Sequence, residues 1–229
     1  MISFLKNLIH IFFPELCIIC EKSLFEGESP ICVHCRHDLP LTNFSFENNN
    51  TVETSFYGRV DIQEATALFY FYKKSNVQKL IQELKYRNNE EIGKYFGNWL
   101  GDDLLQSDRF KKIDCIIPVP LHPKKLKQRG YNQLTKFGES LSKKLQIPYI
   151  DDLLIRKTYA KTQTFKQREE RIQDIEGIFD ITDIERIRNK HVLLIDDVIT
   201  TGSTIEACSL ALTQTPSVKI SIATMAYTP

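Results

Sequence analysis

Val192-Leu-Leu-Ile-Asp196-Asp197-Val-Ile-Thr200-Thr201-Gly202-Ser203-Thr204 sets four apolar residues, two acids and a hydroxyl-rich turn in succession, before a helical apolar pattern over Ile205 to Leu212. A short apolar run of this kind reads as a strand buried on both faces, typical of a parallel sheet. Such a strand delivers Asp196 and Asp197 to its carboxyl end, where open α/β sheets bind ligands. Thr200 to Thr204 then offer backbone N–H groups and hydroxyls at a helix amino terminus, a seat for phosphate. Gly202 permits close approach or positive φ there. Acids beside such a seat would repel an anion unless they address sugar hydroxyls or share a cation. The pattern therefore fits a phosphorylated ribose better than a bare phosphate.

Strands and helices alternate on the amino-terminal side of this stretch as well. A β-rich run, Ala65 to Tyr72, precedes helical stripes at Val77, Leu80, Ile81 and Leu84 and at Ile92, Tyr95, Phe96, Trp99 and Leu100. Ile113 to Val119 reads as a strand, Leu134, Phe137, Leu141 and Leu145 share a helical face, and Val218 to Ala226 reads as a final strand. This alternation predicts an α/β fold, a mostly parallel sheet flanked by helices. The 229 residues contain 30 Lys+Arg against 29 Asp+Glu, with 42% hydrophobic and 26% charged residues, so a disordered or collagen-like chain is excluded. A net charge of +1 also argues against binding nucleic acid by bulk electrostatics, so anion sites must come from local clusters. One expected cluster is Lys124, Lys125, Lys127 and Arg129, in a surface loop after the strand.

The cysteines set off the amino-terminal end. Cys17, Cys20, Cys32 and Cys35 form two C-x2-C knuckles separated by eleven residues. Two such knuckles complete a tetrahedral four-sulfur shell, which selects Zn²⁺. Disulfides fit poorly in a chain without a secretory signal. The closed shell predicts a structural metal that holds a loop lacking its own core. His34 reads as an exposed loop residue, and Cys115 and Cys208 as small core residues. Leu5, Leu8, Ile9, Phe12 and Phe13 mark an amphipathic helix that is too short to span a membrane, has no cleavage site after it, and has few basic residues to meet lipid. A cytoplasmic location without a membrane span follows as the expectation. The Asn-rich stretch in 42–54 reads as a linker, giving a helix and zinc module at 1–41 and the main domain at 55–229.

The aspartate stretch resembles the ribose-5-phosphate loop of type I phosphoribosyltransferases. The resemblance narrows when the four knuckle cysteines are taken with Leu84-Lys85-Tyr86, Pro118-Val119-Pro120-Leu121, Arg129-Gly130-Tyr131-Asn132-Gln133 and Lys157-Thr158 followed by Thr162-Gln163. In this order they resemble the ComF family (ComFC/GntX-like proteins) over nearly the whole chain. That resemblance implies a type I phosphoribosyltransferase fold with a small zinc module. It implies that Asp196 and Asp197 hold the ribose hydroxyls of phosphoribosyl pyrophosphate with Mg²⁺, and that Thr200, Thr201, Gly202, Ser203 and Thr204 bind its 5′-phosphate. It further places Pro120, Leu121, His122, Arg129, Lys157, Lys85 and Tyr86 on the pyrophosphate side. The basic segment Arg156 to Arg171 looks like a hood that closes over substrate.

The family also implies a role in natural transformation, with single-stranded DNA and DNA-uptake proteins as partners. Three readings stand: transfer of phosphoribose, binding of phosphoribosyl pyrophosphate for regulation without turnover, and handling of single-stranded DNA. Any DNA groove is expected at Lys124 to Arg129 and Arg156 to Arg171 rather than at the knuckles, which have few basic residues. Glutamine hydrolysis is not expected, because the first cysteine belongs to a knuckle. No G-x4-G-K-[ST] occurs, which excludes a P-loop ATPase.

Overall fold

The computed structural model describes residues 14–157 and 178–229. The amphipathic helix expected within 1–13, and the expected hood beyond Lys157, lie outside the described residues. In chain order the elements are α1 (Val33–His37), α2 (Thr51–Thr54), β1 (Ala65–Tyr70), α3 (Asn76–Tyr86), α4 (Glu91–Gln106) and β2 (Cys115–Pro118). They continue with α5 (Pro123–Arg129), α6 (Thr135–Leu145), β3 (Leu154–Arg156), β4 (Phe179–Ile181), β5 (His191–Ile199), α7 (Ser203–Leu212) and β6 (Lys219–Tyr227). Short 3-10 turns occur at Asp108–Phe110 and Ile184–Ile187. Among the described residues no helix is long and apolar enough to cross a membrane.

The expected parallel sheet has four strands in the order β1-β6-β5-β2, and every pairing is parallel. Val192 to Ile195 of β5 are fully buried, as an apolar run covered on both faces requires. From β1 the chain crosses through α3 and α4 to β2, whereas from β5 it returns through α7 toward β1, ending in β6. Right-handed crossovers in opposite directions place these helices on opposite faces of the sheet. After β2 the chain runs through α5 and α6 to Tyr149, which bridges in parallel to Ile116 on the outer side of β2. The connections from β2 and β5 thus diverge. The gap between their carboxyl ends is a topological switch point, where a crevice opens.

Helix packing explains the apolar stripes. Val77, Leu80, Ile81 and Leu84 are buried along α3, which begins at Ser75, whose side chain accepts a hydrogen bond from the Gln78 N–H. Helix α4 buries Ile92, Phe96, Leu100 and Leu104 and packs closely on α6. At Gly97 an added Cβ would lie 2.5 Å from the Phe137 carbonyl oxygen, so only glycine allows this approach of the two backbones.

Two stretches differ from their sequence reading. The loop expected at Lys124 to Arg129 is the short helix α5. Pro123 occupies its first turn, the His122 ring nitrogen accepts from the Lys124 N–H, and Gly130 ends it at φ +80°. The Asn-rich stretch within 42–54 packs into the domain with Phe44, Asn50 and Val52 buried. The Asn50 side chain caps α2 and donates to the Ala65 carbonyl at 2.9 Å, while the Glu53 carboxylate accepts from the Ala65 N–H at 3.0 Å and pairs with Arg109. Its polar residues satisfy buried backbone groups, which composition alone cannot distinguish from solvation.

Candidate functional site

The crevice at the β2/β5 gap is a cavity of about 270 Å³ lined by residues from seven segments. Strand β5 contributes Asp196, Asp197 and Val198, the end of α3 contributes Lys85, and the loop after β2 contributes Val119, Pro120, Leu121 and His122. Helix α5 supplies Lys125 and Arg129, the segment before α6 supplies Gln133, β3 supplies Arg156, and the start of α7 supplies Thr204. Four cations therefore face two acids, a composition suited to a polyanionic ligand. Thr200, Thr201, Gly202 and Ser203 line an adjoining smaller pocket that shares Asp196, Val198 and Thr204 with the first. Gly202 has φ +76° at the amino terminus of α7, and the Thr201 and Ser203 hydroxyls lie 3.1 Å apart. The turn that the sequence marks as a candidate phosphate seat thus adjoins the two acids.

The two acids differ in surroundings. Both carboxylate oxygens of Asp197 are engaged: Oδ1 accepts from Lys85 Nζ at 2.9 Å and Oδ2 from Gln133 Nε2 at 2.8 Å. Gln133 Oε1 in turn accepts from Arg129 Nη1 at 2.6 Å, and the Arg129 guanidinium lies 5.3 Å over the Tyr86 ring. Asp196 Oδ1 accepts from the Asp197 N–H at 2.7 Å. Burial, and next the charge of Asp197, push its carboxyl up to about 8. A cation or donor arriving at Asp196 would reverse that effect. The two carboxylates suit Mg²⁺, a hard ion that commonly takes one or two carboxylates and completes its shell with substrate phosphates and water. Among the described residues no third acid joins them, so the remaining ligands would come from substrate and water.

Most of the sequence-expected site residues meet here. Tyr86 and Lys157 do not line the cavity: Tyr86 is exposed beneath Arg129, and Lys157 Nζ pairs with Asp180 at 2.8 Å. Gln133 was visible only as the end of the Arg129-to-Gln133 motif. Its role as the bridge between Arg129 and Asp197 emerges from the spacing of four between them and the turn leading into α6.

The cysteines converge as the spacing predicts. The Sγ atoms of Cys17, Cys20, Cys32 and Cys35 all lie within 4.8 Å of one another. Cys20 and Cys32 are 3.8 Å apart, too far for a disulfide and close to the roughly 3.8 Å edge of a tetrahedron with 2.3 Å zinc–sulfur bonds. Burial pushes the Cys17 thiol up, but the N–H groups of Cys20, Cys32 and Ile19 more than offset this and bring it down to about 7. The donor set fits Zn²⁺, which would hold all four as thiolates in a closed shell. His34 stands exposed on α1, outside the cluster and on a helix rather than in a loop. The module docks on the sheet domain through Lys79 Nζ, which donates to the Ile19 carbonyl at 2.9 Å, and through Arg36, 4.5 Å over the Trp99 ring.

A family model described as "Phosphoribosyl transferase domain" matches residues 135–229. Competence protein F of Haemophilus influenzae is 28% identical over 208 residues, covering 89% of this chain and 86% of its own. Competence protein ComFC of Bacillus subtilis is 24% identical over 221 residues, covering 86% and 88%. DNA utilization protein YhgH of Escherichia coli O157:H7 is 29% identical over 129 residues, covering 55% and 56%. The matched phosphoribosyltransferase domain holds the acids and the hydroxyl-rich turn, while the similarity to the two competence proteins extends over most of the chain. With the four-cysteine cluster at its amino-terminal end, the chain is similar to these competence proteins over most of its length and carries a phosphoribosyltransferase domain, in agreement with the ComF resemblance of its sequence.

Proposed function

We propose that the protein binds phosphoribosyl pyrophosphate with Mg²⁺ in the β2/β5 crevice and serves the handling of imported DNA, the role indicated by the names of its competence relatives. The supporting observation is the union in one crevice of a paired-acid strand end, a hydroxyl-lined helix start and four cations. The N–H groups and hydroxyls of Thr200 to Thr204 receive the 5′-phosphate. Asp196 accepts from the ribose hydroxyls. Lys85, Lys125 and Arg129 face the pyrophosphate, Lys85 exchanging Asp197 for phosphate oxygens as the ligand enters. Mg²⁺, held by Asp196 and Asp197, would neutralise charge on the ligand.

In a transfer reaction the bond from the sugar C1 to pyrophosphate breaks, its electron pair leaves with pyrophosphate, and the acceptor's lone pair forms the new bond. The cations stabilise the departing charge, and no protein nucleophile is needed. Glutamine hydrolysis is not part of this reading, since Cys17 lies in the metal cluster.

Calorimetry with phosphoribosyl pyrophosphate and Mg²⁺ is expected to show saturable binding that weakens at least tenfold in Asp196→Ala. Unchanged affinity in that variant would refute the assignment. Pyrophosphate release on supplying bases or amines separates an enzyme from a regulatory binding protein. Direct contact with single-stranded DNA is a second reading favoured by α5, where Lys124, Lys125 and Lys127 are exposed and no residue is buried. It predicts salt-dependent DNA retention that is lost when these lysines become glutamine.

A further inference from the structure

Arg59 lies between α2 and β1, remote in sequence from the crevice, yet its guanidinium reaches the phosphate seat. Its Nη1 donates to the Thr201 carbonyl at 3.0 Å and to the Ser55 carbonyl at 3.1 Å. Its Nε donates to Glu206 Oε2 at 3.1 Å, and Nη2 contacts the same oxygen. The Arg59 guanidinium rests 5.4 Å over the ring of Phe56, which is fully buried. The same ring closes on Gly202, where an added Cβ would come within 2.9 Å of it. The Glu206 N–H donates to the Gly202 carbonyl at 2.9 Å.

These contacts bear on anion binding in two ways. The N–H groups of Thr200 to Thr204 converge on a phosphate only while the turn holds one conformation, and Arg59 grips the Thr201 carbonyl within it. Glu206, in the first turn of α7, also sets a carboxylate beside the helix end that would receive the phosphate. Left unpaired, that charge would oppose the ligand and offset the favourable end of the helix dipole. Arg59 cancels it.

We propose that Arg59 is the positioning residue of the phosphate seat, acting through Thr201 and Glu206, and that this pairing makes the seat prefer a dianionic phosphomonoester. The preference rests on the phosphate-seat reading given above, whereas the grip on the turn can be measured without any ligand.

The test uses the full chain with ribose 5-phosphate as probe, titrated at pH 5.5 and pH 8 on either side of a phosphomonoester second pKa near 6. Hydrogen exchange at the Glu206 amide is followed in the ligand-free protein. The wild type is expected to bind more tightly at pH 8. Asp196 lines the same pocket and its carboxyl, pushed up to about 8, also gains charge over this range, so the comparison is repeated in an Asp196→Asn background, where tighter binding at pH 8 is expected to persist. Arg59→Gln is expected to exchange about tenfold faster at Glu206, to bind about tenfold more weakly at pH 8, and to lose most of the gain between the two pH values. Adding Glu206→Gln should recover at least threefold of that affinity, and Glu206→Gln alone should bind as well as the wild type or better.

A double variant that binds no better than Arg59→Gln, or a Glu206→Gln variant weaker than wild type, would overturn the charge role. Unchanged exchange in Arg59→Gln would overturn the positioning role. If Arg59→Gln does not fold, Glu206→Gln alone still decides the charge role. If the wild type does not bind ribose 5-phosphate while Arg59→Gln speeds exchange, the phosphate-seat reading and the charge preference fail and the grip on the turn stands.

Discussion

Replacing Asp197 by Asn changes one atom and disturbs a chain of four side chains. Asp197 accepts on both oxygens, from Lys85 at 2.9 Å and from Gln133 at 2.8 Å. Asn offers one acceptor and one NH₂, so the NH₂ must confront either the Lys85 ammonium or the Gln133 amide nitrogen, both donors. Gln133 could rotate its oxygen toward the new NH₂, but that oxygen already accepts from Arg129 at 2.6 Å. Either way one charge-assisted bond is lost and one donor is left opposed. The Asp197 and Lys85 side chains are 10% and 21% exposed, so water can relieve only part of the loss.

A lost bond to a charged group costs about 1.5–3 kcal/mol, and about 2 kcal/mol is expected here. In a domain of this size that corresponds to a fall in Tm of about 4–8 °C. Denaturant unfolding of wild type, Asp197→Asn, Lys85→Met and the double variant measures it, with an expected Lys85–Asp197 coupling of about 1.5 kcal/mol. A variant within 0.5 kcal/mol of wild type, or strictly additive single changes, would refute the network.

Two further outcomes follow from the same geometry. Metal analysis should find about one zinc per chain, and chelation or Cys20→Ser should lower Tm, because the loops carrying the four thiols fold around the ion; a metal-free preparation of normal stability would contradict this. Burial, and next the charge of Asp102, push the half-buried Asp103 up to about 6, so the folded state binds more protons than the unfolded one between the ordinary 3.8 and that value. Stability from this group therefore falls as pH rises through that window, and Asp103→Asn should gain about 1 kcal/mol at pH 8 after allowance for solvent screening, with little gain at pH 4, as thermal melts at both values would record.

Much of the fold was legible because its signals are local. Val192 to Ile195 had to be a strand buried on both faces, and the stripe Val77, Leu80, Ile81 and Leu84 had to be a helix with one apolar side. Knuckle spacing predicted the convergence of Cys17, Cys20, Cys32 and Cys35. The run from Asp196 to Thr204 announced acids joined to a hydroxyl-lined helix start, since neighbours along a strand and turn stay neighbours in space. Other elements left weaker traces. Strands β3 and β4, of three residues each, are too short to display a period. The buried hydrogen-bonding roles of Asn50 and Glu53 look, as composition, like solvated polar residues.

What only the tertiary structure decided is the choice of partner across long chain separations. Lys85 and Asp197 meet across 112 positions, and Arg59 and Glu206 across 147. The order β1-β6-β5-β2 brings the end of β5 beside the end of β2, and the diverging connections leave the crevice open between them. Periodicity tells a residue which side to bury and chemistry tells it what it can bind. Which charge it faces depends on how whole elements pack, and no window of sequence contains that information.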